Sequence, residues 1–463
     1  MRSFLAFLLV MIPLAAQAQA EEPEGSVMEG LDDMADAIVW LTTRRWEGPR
    51  TPAPAPQTRP MVSYRLESSF SRVAVHAPDT VSPVYAERVL RILEGVASRL
   101  DVEGWPRPLP DGGLGGSSAF DLYLTPTDAL AEGRSDGRCI WSYLDAAIAH
   151  GVVDPSLTGI DLEAAITSAY AQGVLLGLDP AEASEWHRAA ASWLAWRTTG
   201  QFGPADSGSR QQQESWRSWV GDGAGQGEGG ALFLAMMSER HDGGSGDFVR
   251  DLWQLTRQRT WDGVDLRAAP DLWQAIHRAL SVGGDQLHAT VEDLAVARWF
   301  LGEREDHSHF HELRGLGADA TVRPVFTGSV DAMPLHTRAS HPIETYGTAY
   351  ATIDTKNAPP KSRLRVWLRG EYGVEWALTA SRVSSDGREL ARLSAPPRRG
   401  DRRSYLPVEL TDDTEYVMIS VTNLSHRLPD ADDPDPNARA FRLIFDLVQE
   451  GQEPDYDLAT TLQ

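Results

Sequence analysis

Residues 158–196 read TGIDLEAAITSAYAQGVLLGLDPAEASEWHRAAASWLAW. Apolar side chains recur at Leu162, Ala165, Ile166, Ala169, Tyr170, Gly173, Val174 and Gly177, the spacing of one buried helical stripe. Thr158 and Asp161 have the spacing of a capping box, which satisfies the first orphan N–H groups of a helix. Asp179-Pro180 then interrupts the pattern, because the residue before a proline avoids the α region. A second helix follows, with Trp186, Ala190, Trp193 and Trp196 on one stripe.

Outward from this pair the periods change. Upstream, residues 73–76 and 120–124 read as strands, residues 85–100 as an amphipathic helix and residues 104–116 as a Gly/Pro loop. Downstream, helical spacing returns near 231–239, 247–257, 271–280 and 286–301. From about residue 325 the period becomes two, at 364–368, 375–381, 389–393, 405–410, 416–422 and 441–447, which predicts a β-sandwich. The expected class is α+β: a mixed α/β N-terminal part, a mainly helical domain, then the sandwich.

A chain of 463 residues is long enough for two or three domains. With 42% hydrophobic and 24% charged residues it is neither disordered nor collagen-like. Lys and Arg total 43 against 66 Asp and Glu, and the net charge of −23 disfavours nucleic acid or an anionic membrane as partner. All cations except Lys356 and Lys361 are arginine, a bias spread along the chain that reads as codon composition rather than phosphate recognition.

Arg2, an apolar run over 4–16 and Ala18-Gln19-Ala20 have the order of a signal peptide, residues 1–20, so the protein is expected to be secreted or periplasmic. No later run approaches the roughly 18 apolar residues of a membrane span. Cys139 is alone, which leaves no partner for an intramolecular disulfide. Residues 21–60 read as an acidic helix and Pro-rich linker, a pro-segment or tether; 61–305 as the main domain; 306–324 as a His-rich connector; 325–450 as the sandwich; and 451–463 as an acidic tail.

The order strand, strand, capped helix, Leu-Asp-Pro turn, Trp-bearing helix, further helices and sandwich resembles the secreted gluzincins, thermolysin-like zinc metallopeptidases, and in particular exported myxobacterial metalloproteases with a C-terminal sandwich. The resemblance covers roughly residues 62–450 by pattern. In that class the first helix carries His-Glu-x-x-His and the second a distal Glu, which together hold a zinc with an open fourth position. Here the matching runs are Ser168-Ala169-Tyr170-Ala171-Gln172 and Arg188-Ala189-Ala190-Ala191-Ser192-Trp193. The resemblance therefore places Ser168, Ala169, Gln172 and Arg188 at the former metal and base positions. A hydroxyl and an amide are poor zinc ligands, alanine transfers no proton, and arginine puts a cation where the metal belongs. His311-Glu312 is the one His-Glu pair, and Gly315 spoils the motif.

What this implies is a zincin-like pseudo-metallopeptidase without catalytic residues or cofactor, binding peptide, protein or envelope polymer in the old cleft, with Arg188 facing Ser168 and Gln172 and able to take a carboxylate. The alternatives are an active hydrolase with an unrecognised site, zinc included, and a structural envelope protein. For the former, His307, His309 and His311 are the metal candidates, since alternate residues of an extended segment share a face. The glycine run 221–230 lacks the Lys-Ser/Thr of a phosphate loop, and Asp430, Asp432, Asp433 and Asp435 lack the EF-hand order. Trp216 and Trp219, beside the polar run 211–214, are the surface aromatic candidates for a ligand, whereas Trp186, Trp193 and Trp196 belong to the core stripe.

Overall fold

The computed structural model describes residues 49–142, 144–203, 211–219, 229–258, 265–338, 340–395, 402–425 and 437–451. The expected signal peptide, the expected acidic helix before residue 49, most of the glycine run, Asp430 to Asp435 and nearly all of the expected acidic tail lie outside them. The chain divides into two units, Met1–Gly48 and Pro49–Gln463, and every described residue belongs to the second. Its class is mixed α+β.

Five strands form the N-terminal sheet: β2 (Tyr64–Glu67), β3 (Val73–Ala77), β4 (Phe120–Leu124), β5 (Ala131–Arg138) and β6 (Ala147–Val153). The order is β2-β3-β4-β6-β5, with β3, β4 and β6 parallel and the two edges antiparallel. A separate two-stranded ribbon pairs β1 (Arg50–Pro52) with β7 (Asp265–Arg267). Helix α1 (Pro83–Val102) is capped by the Ser82 side chain and buries Ala86, Val89, Leu93, Val96 and Leu100 in the core that β3 and β4 share.

The helix read from residues 158–178 is α2 (Gly159–Leu178). Thr158 is its N-cap residue but makes no side-chain cap bond, and the first turn is distorted at Gly159, where φ is +60°. Helix α2 lies unusually close to the sheet because glycines remove the side chains between them: a Cβ at Gly173 would stand 2.5 Å from the Phe120 ring, and one at Gly133 2.5 Å from Gln172 Cβ. Helix α3 (Ser184–Thr199) follows, and Trp186 and Trp193 are buried as the stripe requires. Then come α4 (Gly229–Asp242), α5 (Asp247–Thr256), α6 (Leu272–Gly283) and α7 (Leu287–Trp299). No helix among the described residues is long and apolar enough to cross a membrane.

The C-terminal part is a two-sheet structure. Strands β8 (Phe326–Ser329), β10 (Thr348–Asp354), β12 (Trp376–Val383), β13 (Glu389–Ala395) and β15 (Tyr416–Asn423) form one sheet, in the order β13-β12-β15-β10-β8. Strands β9 (Leu335–Arg338), β11 (Ser362–Gly370), β14 (Arg403–Glu409) and β16 (Phe441–Gln449) form the other, in the order β14-β11-β16-β9. Between them Ala351, Ile353, Leu364, Val366, Leu368, Ile419, Leu443 and Phe445 form a core.

The five-stranded sheet is covered on its second face as well. Tyr350, Val383 and Met418 pack with Val296, Trp299 and Phe300 of the α7 end, and the Tyr350 hydroxyl donates to Ala295 O at 2.6 Å. The four-stranded sheet keeps an outer face that alternates with its buried residues, as Arg363, Trp367 and Arg369 do on β11.

Candidate functional site

The three positions that the resemblance assigns on α2 are buried and closed on themselves. Gln172 Nε2 donates to Ser168 Oγ at 3.3 Å, one turn away, and Gln172 Oε1 accepts the Gly133 N–H of edge strand β5 at 3.0 Å. Ala169 is buried beneath Gly151 of β6. A hydroxyl and an amide already bonded to each other and to the backbone do not fit a zinc ion, which needs free, ionised or imidazole ligands.

Arg188 does not join them by hydrogen bond, contrary to expectation. Its Nη2 donates to Glu185 Oε1 at 3.2 Å, one turn back on α3, and 37% of its side chain is exposed. The Glu185 carboxylate takes its guanidinium, while the Gln172 carbonyl is taken by the Gly133 N–H of β5. The buried group here is Glu185, a residue that no motif spacing singles out although it lies one turn before Arg188. Arg197 is better held: it donates to Gly244 O at 2.5 Å and Ser245 O at 2.8 Å and lies over the Trp193 ring.

His307, His309 and His311 are not brought together. The segment is bent rather than extended: His307 has φ +59°, and Asp306 Oδ1 accepts the N–H groups of Ser308 and His309, so alternate residues share no face. His309 instead bridges two carboxylates, donating to Asp306 Oδ2 and Glu389 Oε2 at 2.9 Å each, and stacks on Phe300 at 4.1 Å. Burial opposes its charge, yet the two acids outweigh it and raise its pKa, while Glu389 is pulled down to about 2 despite burial. It works as a charged clamp from the connector to β13. Among the described residues no group of His, Cys, Asp or Glu has metal-holding geometry.

Trp219 is core and not surface: it is 2% exposed, donates to Tyr346 O at 2.8 Å and packs against Trp186, Phe233 and Trp273. The polar run beside it is no surface run either. Gln211 and Gln212 are themselves buried, with Gln212 Oε1 and Gln211 O accepting from the buried Arg298 at 2.6 and 2.8 Å. Trp216 is half-buried, stacked on His341 at 4.5 Å against the sandwich core.

The densest ionisable cluster lies on the face of the N-terminal sheet away from α2. His76 of β3, Asp121 and Tyr123 of β4, His150 of β6 and Asp136 of β5 meet there, with Asp111 from the preceding loop. His76 Nε2 donates to Asp121 Oδ1 at 2.7 Å and His150 Nδ1 to Asp136 Oδ1 at 2.9 Å. Arg59, from the Pro-rich stretch before β2, pairs with all three carboxylates: Asp136 at 2.6 Å, Asp111 at 2.8 Å and Asp121. Burial opposes ionisation of Asp121 and Asp136, but hydrogen bonds from His76, His150 and Arg59 outweigh it and hold both below the usual carboxylate range. At Asp111 burial wins and the pKa rises. Gln57 N donates to Ser135 O at 2.8 Å, so the same stretch also lies along the free edge of β5.

A second acid cluster sits at the α2–α3 turn. Asp179 and Glu182 are buried, Glu182 Oε1 accepts Ala183 N at 3.0 Å and Oε2 accepts Leu272 N at 2.5 Å. Burial raises both, Asp179 to about 7, and at Glu182 the neighbouring charge of Asp179 adds to it. His187 beside them donates to Asp179 O at 2.9 Å, and burial lowers it to about 4, which leaves it neutral.

No protein-family model matches the chain, and no curated protein matches it. Among solved structures, the enzymatically active domain of a tailspike protein from bacteriophage CBA120 aligns at 10% identity and TM-score 0.18, over 25% of this chain and 18% of that one. An insecticidal delta-endotoxin from Bacillus thuringiensis aligns at 13% identity and TM-score 0.14, over 25% and 20%. The chain thus spans about a fifth of each structure, and overlaps this small and loose define no shared fold.

Proposed function

We propose that the chain is an exported binding protein: a metallopeptidase-like module, residues 61–305, whose metal chemistry has been lost, joined through 306–324 to the sandwich of 325–450. The observation that carries this reading is the closure of Ser168, Ala169 and Gln172. At the spacing where a peptidase of this class holds zinc, the side chains bond one another and the edge strand. The buried position of that pair beside β5, followed by the α2–α3 turn, supports the ancestry; the missing donors support binding in place of hydrolysis. Peptide, partner protein or envelope polymer are the candidate ligands.

Restoring the motif tests it. Ser168→His, Ala169→Glu, Gln172→His and Arg188→Glu in one folded chain should bind about one zinc by elemental analysis after dialysis, where the wild type should hold none. A folded variant that still takes no zinc removes the metallopeptidase reading. A second reading, a hydrolase with other residues, draws on the His76–Asp121 and His150–Asp136 pairs, which have the components of acid–base chemistry. Cleavage of a fluorescent casein by the wild type, lost in His150→Gln, would favour it.

A further inference from the structure

The outer face of the four-stranded sheet carries a row of arginines. In the strand register Arg369 of β11 stands opposite Arg403 of β14 on one side and Arg442 of β16 on the other, and Arg442 stands opposite Arg338 of β9. Four cations therefore cross the whole sheet in one line, at the ~4.8 Å spacing of adjacent strands. Like charges placed directly opposite destabilise a sheet. In a chain of net charge −23 carboxylates abound, yet none among the described residues pairs with Arg338, Arg369 or Arg442. The crowding is felt at Arg369, whose pKa is lowered first by burial and then by Arg402, Arg403 and Arg442.

The next rung of the same face is aromatic. Trp367 stands opposite Tyr405, ring centroids 5.3 Å apart, with Arg365 over the Trp367 ring and Tyr405 45% exposed. Beyond it lies a groove of about 510 Å³ lined by Lys361, Arg363, Arg365, Tyr405, Glu409 and Glu450. Its three cations pair with Glu450, Glu409 and Asp446, so that it is Arg338, Arg369 and Arg442 of the row that keep no carboxylate partner among the described residues. A line of guanidinium groups beside an exposed ring and a groove suits a chain of rings that bear carboxylates: arginine forks take the carboxylates two bonds at a time, and the ring takes an apolar sugar face.

We propose that this face binds an acidic polysaccharide, its uronate-type carboxylates on Arg369, Arg442 and Arg338 and a sugar ring on Tyr405. The site lies on the sandwich and does not rest on the metallopeptidase-like reading. Two rings are exposed beside the row, Tyr405 and Tyr372, but Arg402 already lies over the Tyr372 ring at 4.2 Å; the one ring left is too small a platform for successive bases, which sets a polysaccharide ahead of a single-stranded nucleic acid.

The test is calorimetric titration of the whole chain with polygalacturonate oligomers, against neutral dextran and a single-stranded oligodeoxynucleotide. Arg369→Gln with Arg442→Gln should weaken polygalacturonate binding by about tenfold or more, and Tyr405→Ala several-fold, with a shallower salt dependence in the arginine variant. Arg88→Gln with Arg91→Gln, the same charge change on α1, should leave binding unaltered. Because the variant relieves repulsion, its thermal midpoint should equal or exceed that of the wild type. Absence of polygalacturonate binding, equal binding of dextran, tighter binding of the oligonucleotide, equal losses in both double variants, or a lowered midpoint in the first would each overturn the proposal.

Discussion

Two pairs of buried acids in the N-terminal part shift in opposite directions. On the sheet face away from α2, Asp121 and Asp136 are held below the ordinary range; at the α2–α3 turn, Asp179 and Glu182 are pushed above it. Burial raises all four, so burial does not distinguish them. The distinction is the neighbour: Arg59 and two histidines in the first cluster, a neutral His187 and backbone N–H groups in the second. The first cluster is a set of charges that a cation keeps in place, and the second is a set of carboxylic acids that prefer their protons.

Arg59→Met should break the first cluster most severely. Three buried carboxylates would lose their cation, a loss of about 3–5 kcal/mol in urea denaturation near neutral pH. A loss below about 1 kcal/mol would mean that the hydrogen bonds from His76 and His150 are enough to hold the carboxylates. Asp179→Asn tests the second cluster with the reverse sign. A carboxyl with a raised folded pKa stabilises fully below its unfolded value near 3.8 and loses that contribution as pH rises through about 7. Wild-type stability should therefore carry a falling component from about pH 4 to about pH 7, and Asp179→Asn should gain on it by on the order of 4 kcal/mol across that range. His187, lowered to about 4, has the opposite slope between 4 and 6.5, so the variant should reveal a rising limb. The depressed Asp121 and Asp136 contribute above about pH 4 and fail only in stronger acid.

Gln172→Ala should cost about 1–2 kcal/mol, because the Gly133 N–H loses its acceptor. Smallest is Arg188→Ala, expected within about 0.5 kcal/mol at a half-exposed position, whereas Arg197→Ala should cost about 1–2 kcal/mol through its two carbonyl bonds. The reverse order would restore Arg188 to a buried centre.

Much of the helical part and six of the nine sandwich strands were legible in the sequence. The α2 and α3 stripes have the helical period, and β11 alternates Arg363, Leu364, Arg365, Val366 because one of its faces is wet. Strand β10 was missed for the complementary reason: Thr348 to Ala351 are buried on both faces, so alternation vanishes. Edge strand β5, Ala131–Arg138, is polar and escaped as well. The ionic cluster draws on residues from 59 to 150, and no motif spacing can report such a set. Its signal was an ionisable side chain inside apolar strands, His76 in Val-Ala-Val-His-Ala and Asp121 in Phe-Asp-Leu-Tyr-Leu, since a lone buried polar group demands a partner. The arginine row was hidden by the overall excess of arginine, and only strand register aligns it.

The three central strands of the five-stranded sheet, dry on both faces, will shape which sequences the protein can drift through. Along β10, β12 and β15 both parities are packed, by the opposing sheet on one side and by α7 and its neighbours on the other. In a library of single substitutions, charged replacements there should be depleted at consecutive positions. Along β11, β14 and β16 depletion should fall on alternate positions, so that the tolerated substitutions themselves trace out which sheet meets water.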